Sequence, residues 1–382
     1  MESAGFVHLK LRLVGVTIHL VYPHGDRISA PDTIGRHVAD GLRGHGHEVI
    51  THGFTERGPL TPLEGDVLLG HPSPDSQQCF NASLADPRWA RIVAMSPFHN
   101  GDLGHTAFLA RILPQCHRYL AITGSYWFST IPDSVFAPFL PRIEHLDLAL
   151  DPVDFPRRKS AFAPPGRRRF LYIGALAPWK NPRLLERLAA DNPEMEFAWL
   201  GGGGILRDFR ALGQFDFRDG AAQALVADHD FLITVGGADA NPTTVLEAMA
   251  WGLVPVCTRE SGYDREPGIV NVPLADTAAA SAVLRRLQQM PEAELLTLRA
   301  LNDQRLATHF TWKRFIDQVQ RAVTDRSPPP KIGRPGAVDR LHLAWHGHSG
   351  HLSPHRAVRF LHRLHHRLAY RILPRWSKRV RK

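Results

Sequence analysis

Two acids eight positions apart, Asp239 and Glu247, bracket the run Asn241-Pro242-Thr243-Thr244. Asn followed by Pro is helix-start chemistry, with Asn241 as N-cap and Pro242 at the first helical position. The head of a helix offers unpaired backbone N–H groups and the positive end of the helix dipole, which suits anions and above all phosphates. Bound phosphate would repel the two carboxylates. Asp239 and Glu247 are therefore better suited to accept hydrogen bonds from hydroxyls on either side of it.

The elements around this stretch place it at the edge of a sheet. Phe231-Leu232-Ile233-Thr234-Val235 reads as an apolar strand leading in, Gly252 stops the helix, and Val254-Pro255-Val256-Cys257 returns as another buried strand. The same alternation runs through the whole chain. Strands are expected at Val16–Pro23, beginning within Gly44–Ile50, and at Asp66–His71, Arg91–Met95 and Tyr119–Thr123, then again at Phe170–Gly174, Phe197–Leu200, around Phe215–Phe217 and at Ile269–Leu274. Helices are expected at 32–43, from Pro182, at Ala221–Ala227, Thr277–Gln289 and Pro291–His309, and after Thr311. The strands are apolar without clean alternation, as strands buried on both faces should be. The pattern predicts an α/β protein of two doubly wound, parallel-sheet domains. The expected division is residues 1–156, a Pro-, Gly- and Arg-rich linker at 157–169, a second domain at 170–326, and a tail at 327–382.

The stretch Asp239–Val256 resembles the donor-binding motif of GT-B glycosyltransferases, in particular the retaining family four. That pattern has a Glu, seven residues, and a second Glu followed by Ala-Met-Ala, a Gly and a Pro-Val strand. Here Asp239 and Glu247 take the acidic places, and Ala248-Met249-Ala250, Gly252 and Pro255-Val256 match. The resemblance covers about residues 16–325 and implies two Rossmann-like domains facing across a cleft. Gly46-His47-Glu48-Val49 after the first strand, and Val153-Asp154 before the linker, resemble the first domain of the same group.

The resemblance also implies roles. Glu247 would hold a ribose, the Thr243 and Thr244 amides (with Asn241) a diphosphate, and Asp239 a hydroxyl of the donor sugar. Lys180, in the loop after Gly174, fits the Lys that meets the diphosphate, whereas Ala175 stands where an Arg is usual. Arg27, beside Gly25 in the loop after the first strand, is a candidate substitute on the diphosphate or acceptor side. His99, after the strand at 91–95, is the closest match to a His that reaches the donor sugar, with His71 the weaker candidate. Within the run Gly201–Gly204, Gly202 permits close backbone approach to the donor. Asp for Glu at position 239 shortens the reach by about 1.5 Å, one C–C bond.

The net charge of +9 sits in the tail, because residues 331–382 hold 13 Lys and Arg against the single Asp339. The remainder is slightly acidic, so a nucleic-acid partner is not expected. Three cysteines, Cys79, Cys116 and Cys257, have no paired spacing, which points to a reducing compartment without disulfides or zinc. With neither a signal peptide nor an apolar run long enough to span a bilayer, a cytoplasmic location is expected. In the tail, residues 354–373 are expected to form an amphipathic helix with one Arg-rich face, which suits an anionic membrane surface. Packing on the body or a second subunit, or binding of nucleic acid, are the alternatives for that helix.

The resemblance implies transfer of a sugar, with retention of configuration, from a nucleotide-diphosphate sugar to a hydroxyl of a glycan, lipid-linked or small-molecule acceptor. His99 and Asp239 would lie nearest the chemistry. The helix head and Lys180 would assist the leaving diphosphate, so neither metal nor cofactor is expected. An epimerase or inverting transferase on the same fold, or a non-catalytic nucleotide-sugar-binding protein, stays open.

Overall fold

A computed structural model describes residues 15–24, 30–53, 56–73, 78–101, 103–214, 220–337, 339–341 and 343. In chain order the elements begin β1 (Thr17–Val21), α1 (Ala30–Gly44), β2 (Glu48–His52), β3 (Val67–Gly70), α2 (Gln78–Ser83), β4 (Arg91–Pro97) and α3 (Leu103–Ile112). They continue with β5 (Arg118–Ile122), α4 (Ser125–Ser129), β6 (Ile143–Leu146), β7 (Arg169–Ile173), α5 (Pro182–Ala190), β8 (Glu196–Leu200), β9 (Arg210–Gly213), α6 (Gly220–Ala227) and β10 (Phe231–Thr234). The remainder are α7 (Thr243–Trp251), β11 (Val254–Thr258), β12 (Val270–Val272), α8 (Thr277–Gln289), α9 (Glu292–Thr308) and α10 (Trp312–Thr324).

Among the described residues these strands form two six-stranded sheets, in the orders β2-β1-β3-β4-β5-β6 and β12-β11-β10-β7-β8-β9. Both orders are doubly wound, so the expected fold class is observed. In the second sheet the direction of winding reverses between β7 and β10, which pair in parallel. Loops leaving the carboxyl ends of strands at such a switch diverge and leave room for a ligand.

A phenylalanine ladder fixes the register there. Phe231 lies opposite Phe170, and Phe170 opposite Phe197. Ring centroids are 4.9 and 5.2 Å apart, and all three side chains are buried. A one-residue slip would turn this aromatic surface to the other face, so the ladder holds the ends of β7 and β10 in step. Around it, α5 buries Leu184, Leu185 and Leu188, the stripe expected from their spacing. Helix α7 buries Val245, Leu246, Ala248, Met249, Ala250 and Trp251 and is apolar nearly all round, as a helix inside the core must be.

The chain divides into two compact units, residues 1–93 with 316–327 and residues 94–315 with 328–382. In the first, α10 is stitched on by Arg91, whose guanidinium donates to the Ala322 carbonyl (2.6 Å) and pairs with Asp325 (2.8 Å). His47 Nε2 and Gln320 Oε1 lie 2.7 Å apart, and a Cβ on Gly41 would strike Ile316. Helix α10 thus packs against α1 and the starts of β2 and β4. Thr311 caps it, its hydroxyl accepting from the Arg314 N–H.

In the second unit the segment 157–169, expected as a linker, is firmly attached. Arg158 and Lys159 N–H groups donate to the Trp251 carbonyl at the end of α7. The Lys159 ammonium lies 2.8 Å from the buried carboxylate of Asp230, which also accepts from Ala163 and Arg169 N–H. Its Pro, Gly and Arg content reads as a solvated connector. The three bonds to Asp230 instead make it a strap over the foot of α7. The strand expected around Phe215–Phe217, and the tail helix at 354–373, lie outside the described residues.

Candidate active site at the switch of the second sheet

After β7 the chain passes Gly174 (φ 147°) into a loop ending in a short 3-10 turn, Pro178–Lys180, and α5. After β10 it enters the turn Val235–Pro242 and α7. The two loops touch: the Gly237 N–H donates to the Trp179 carbonyl at 2.8 Å, and the Lys180 ammonium pairs with the Asp239 carboxylate. Both side chains of this ion pair are mostly buried. Two residues picked out separately in the sequence thus meet at the switch point.

The turn that carries Asp239 is clamped on every side. Its N–H donates to Glu260 O (3.1 Å), and its carbonyl accepts from Trp127 Nε1 (2.8 Å), which also reaches Glu260 O at 3.1 Å. The next carbonyl, Ala240, accepts from Gly124 N–H at 2.9 Å, and Tyr126 N–H donates to Gly262 O at 3.2 Å. Thr258 Oγ1 donates to Gly236 O at 2.6 Å. The approach demands glycine twice. A Cβ on Gly124 would lie 2.0 Å from Gly262 O, and one on Gly262, itself at φ 97°, would lie 2.3 Å from Ala240 O.

At the helix head the expected cap needs correction. Pro242, not Asn241, occupies the N-cap position with φ −65° and ψ 125°, and α7 begins at Thr243. The cause is tertiary: the Asn241 carboxamide oxygen accepts the hydroxyl of buried Tyr263 and is not free to cap. The Asn241 Nδ2 is left buried without a hydrogen-bond partner. Thr243 and Thr244 are half-buried at the open first turn. One turn on, burial raises the Glu247 carboxyl from 4.5 to about 7, opposed by a hydrogen bond from the Thr243 side chain. Glu247 is therefore divided between acid and carboxylate near neutrality and can give or accept a hydrogen bond. Gly252 ends the helix at φ 96°, as its sequence position predicts.

His99 reaches the same neighbourhood from β4. Its ring centroid is 5.8 Å from that of Trp127, the residue that holds Asp239, and a Cβ on Gly101 would lie 2.8 Å from Ala238. Gly174 and Gly202 stand at the ends of β7 and β8. The Gly174 carbonyl accepts from Trp199 Nε1 at 2.9 Å, while a Cβ on Gly202 would meet only the end of the Gln214 side chain. His71 belongs to the other compact unit, beside Tyr22 with ring centroids 5.4 Å apart. Gly25 and Arg27 lie outside the described residues. Trp127, Tyr263 and Glu260 were not anticipated. For Trp127 a signal existed, because Gly124-Ser125-Tyr126-Trp127 follows an expected strand just as the loop bearing His99 does.

The architecture is the GT-B fold of two Rossmann-like domains. No family model matches the chain, and no curated protein matches it in sequence. Solved structures do. Sucrose-phosphate synthase from Thermosynechococcus elongatus is 14% identical with TM-score 0.62, and the match covers 80% of this chain and 98% of that one. HepE from Anabaena, solved in complex with UDP and glucose, is 10% identical with TM-score 0.57, covering 81% and 99%. For TarM, at 10% identity and TM-score 0.52, the match covers 69% of this chain but only 55% of the longer TarM chain. At these identities the likeness is one of fold. Among the described residues no helix is long and apolar enough to cross a membrane.

Proposed function

We propose that the protein is a glycosyltransferase that moves a sugar from a nucleotide-diphosphate donor to an acceptor hydroxyl. The observation that carries this reading is the Lys180–Asp239 ion pair, made by the loops after β7 and β10 just ahead of α7, the helix that carries Glu247. A diphosphate lying at Thr243 and Thr244 would meet N–H groups, the helix dipole and, within reach, the Lys180 ammonium. Glu247, partly protonated, is suited to a ribose diol. Charge that develops on the leaving nucleoside diphosphate would be stabilised by donors already in place. That HepE was solved with UDP and glucose agrees with this donor class.

In this proposal residues 170–326 hold the donor and 1–156 the acceptor, with His99 against the donor sugar. Retention of configuration is proposed on the resemblance to family four, and is read from the anomeric NMR signal of the first product formed. The basic segment 354–373, expected to be an amphipathic helix, is assigned to an anionic membrane surface. Equal flotation of the full chain and residues 1–330 with anionic liposomes would reject that assignment.

The test of the transferase is a thermal-shift screen with UDP-, GDP- and ADP-sugars, followed by mass analysis of products with candidate acceptors. Lys180→Ala should lower turnover on the order of 100-fold through loss of leaving-group stabilisation. Glu247→Ala should weaken nucleotide binding. Unchanged nucleotide affinity and turnover in both variants would overturn the site.

A further inference from the structure

The Lys180–Asp239 pair points to a role for Asp239 different from that of a sugar ligand. We infer that Asp239 is the resting counter-ion of Lys180, holding the ammonium at the head of α7 until a diphosphate takes its place; this rests on the donor-site reading above. Three observations carry it. One Asp239 carboxylate oxygen is already committed to the Lys180 ammonium. The Asp239 backbone is pinned at its N–H by Glu260 and at its carbonyl by Trp127, so the side chain starts from a fixed point. Lys180 is pinned in turn, because the Gly237 N–H binds the carbonyl of Trp179 and the Lys180 N–H donates to Ala177 O at 2.9 Å. The shorter acid suits this arrangement: both ends are anchored a few bonds from the pair, and a longer arm would have to fold back.

A diphosphate entering this site exchanges one anion for another around Lys180. Asp239 thus opposes diphosphate binding in the ground state while keeping the ammonium in position. A carboxylate that served only a sugar hydroxyl would leave a ligand without sugar unaffected.

Titration of the full chain with inorganic pyrophosphate, nucleoside diphosphates and the matching nucleotide-sugars separates the two roles. Asp239→Asn keeps a hydrogen-bond acceptor for Lys180 and removes the opposing charge, so pyrophosphate should bind roughly fivefold tighter, the worth of one ion pair. In a Lys180→Met background the same substitution should leave pyrophosphate affinity nearly unchanged, since the coupling runs through the ammonium. Nucleotide-sugar and nucleoside diphosphate should shift together. Asp239→Glu keeps the opposing charge, although its longer arm must fold back to meet Lys180, so it should show none of the gain in pyrophosphate affinity.

The inference is overturned if Asp239→Asn leaves pyrophosphate affinity unchanged and weakens only the nucleotide-sugar. It is also overturned if the gain persists without Lys180, which would mean simple repulsion, or if the wild type binds no pyrophosphate. A protein that binds pyrophosphate with this coupling but turns over no nucleotide-sugar would reject the transferase and leave the counter-ion role standing.

Discussion

The second sheet uses the dipeptide Asn-Pro twice to turn from strand to helix, with different results. At Asn181-Pro182 the Asn adopts a left-handed backbone, φ 55° and ψ 54°, and Pro182 is the first residue of α5. At Asn241-Pro242 the Pro stays extended and α7 begins one residue later. Asn181 is half-exposed at the site's rim, whereas Asn241 is buried against Tyr263. The local preference is the same in both. At Asn181 the proline begins the helix although the Asn side chain makes no capping hydrogen bond, and at Asn241 a buried hydroxyl claims the carboxamide and the helix starts one residue later. The half-exposed turn delivers Lys180 and the buried turn delivers Asp239, and the Gly237 N–H to Trp179 carbonyl bond ties the two together.

The contrast breaks most completely at Gly262, whose added methyl would meet the Ala240 carbonyl and sit at a left-handed φ. Gly262→Ala should lose roughly 4 kcal/mol of stability from strain and overpacking together. Urea denaturation reads it. Gly220→Ala, with nothing within 4 Å of its Cβ, is the control and should lose almost nothing.

Glu247 gives a pH-dependent effect of slightly smaller size. Its folded-state value of about 7 lies above the ordinary 4.5, so the folded state binds the proton more tightly than the unfolded one. The stabilisation from the protonated form is fully present below pH 4.5 and is lost as pH rises towards 7. Glu247→Gln removes this dependence. The two proteins should match near pH 4, and the variant should be the more stable at pH 8 by up to about 3 kcal/mol. A stability gap that does not change between those pH values would show that folding does not raise the Glu247 pKa above its ordinary value.

Tyr263→Phe tests what holds the clamped turn. The hydroxyl donates to Asn241 and lies 3.3 Å from Pro242 O, so its loss leaves the Asn241 carboxamide buried without a partner. A loss of about 2 kcal/mol is expected. Urea denaturation reads the loss, and a smaller loss with slower amide exchange at Thr243 and Thr244 would mean that Asn241 has turned to cap α7 instead.

Much of this was legible from local pattern. Asp239 and Glu247 stood out as two acids bracketing a helix start, Lys180 was picked out by the family resemblance, and Pro182 and Gly252 were read as a helix start and a helix stop. Their contacts were not legible, because Trp127 binds a carbonyl 112 residues away and Tyr263 meets Asn241 across a strand and a turn. Strand β9, Arg210–Gly213, escaped notice because it is a mostly exposed edge strand without the apolar run that marks the others. Segment 157–169 has a linker's composition. Its fixation depends on Asp230, some 60 residues on, and no local signal announces that partner.

The smallest expected effect falls on the half-exposed turn and sharpens the comparison most. Asn181 sits at φ 55°, a conformation Asn and Gly tolerate and Ala resists by about 1 kcal/mol. Asn181→Gly should change stability by only a few tenths, and Asn181→Ala should lose about 1 kcal/mol. Because Lys180 is the preceding residue, the Ala variant should also shift the ammonium away from Asp239 and weaken pyrophosphate binding alongside the stability loss. The Gly variant should leave pyrophosphate binding near wild type. If instead both variants fold equally well and bind pyrophosphate equally, the left-handed turn at Asn181 does not set the position of Lys180, and the two Asn-Pro turns differ only in their surroundings.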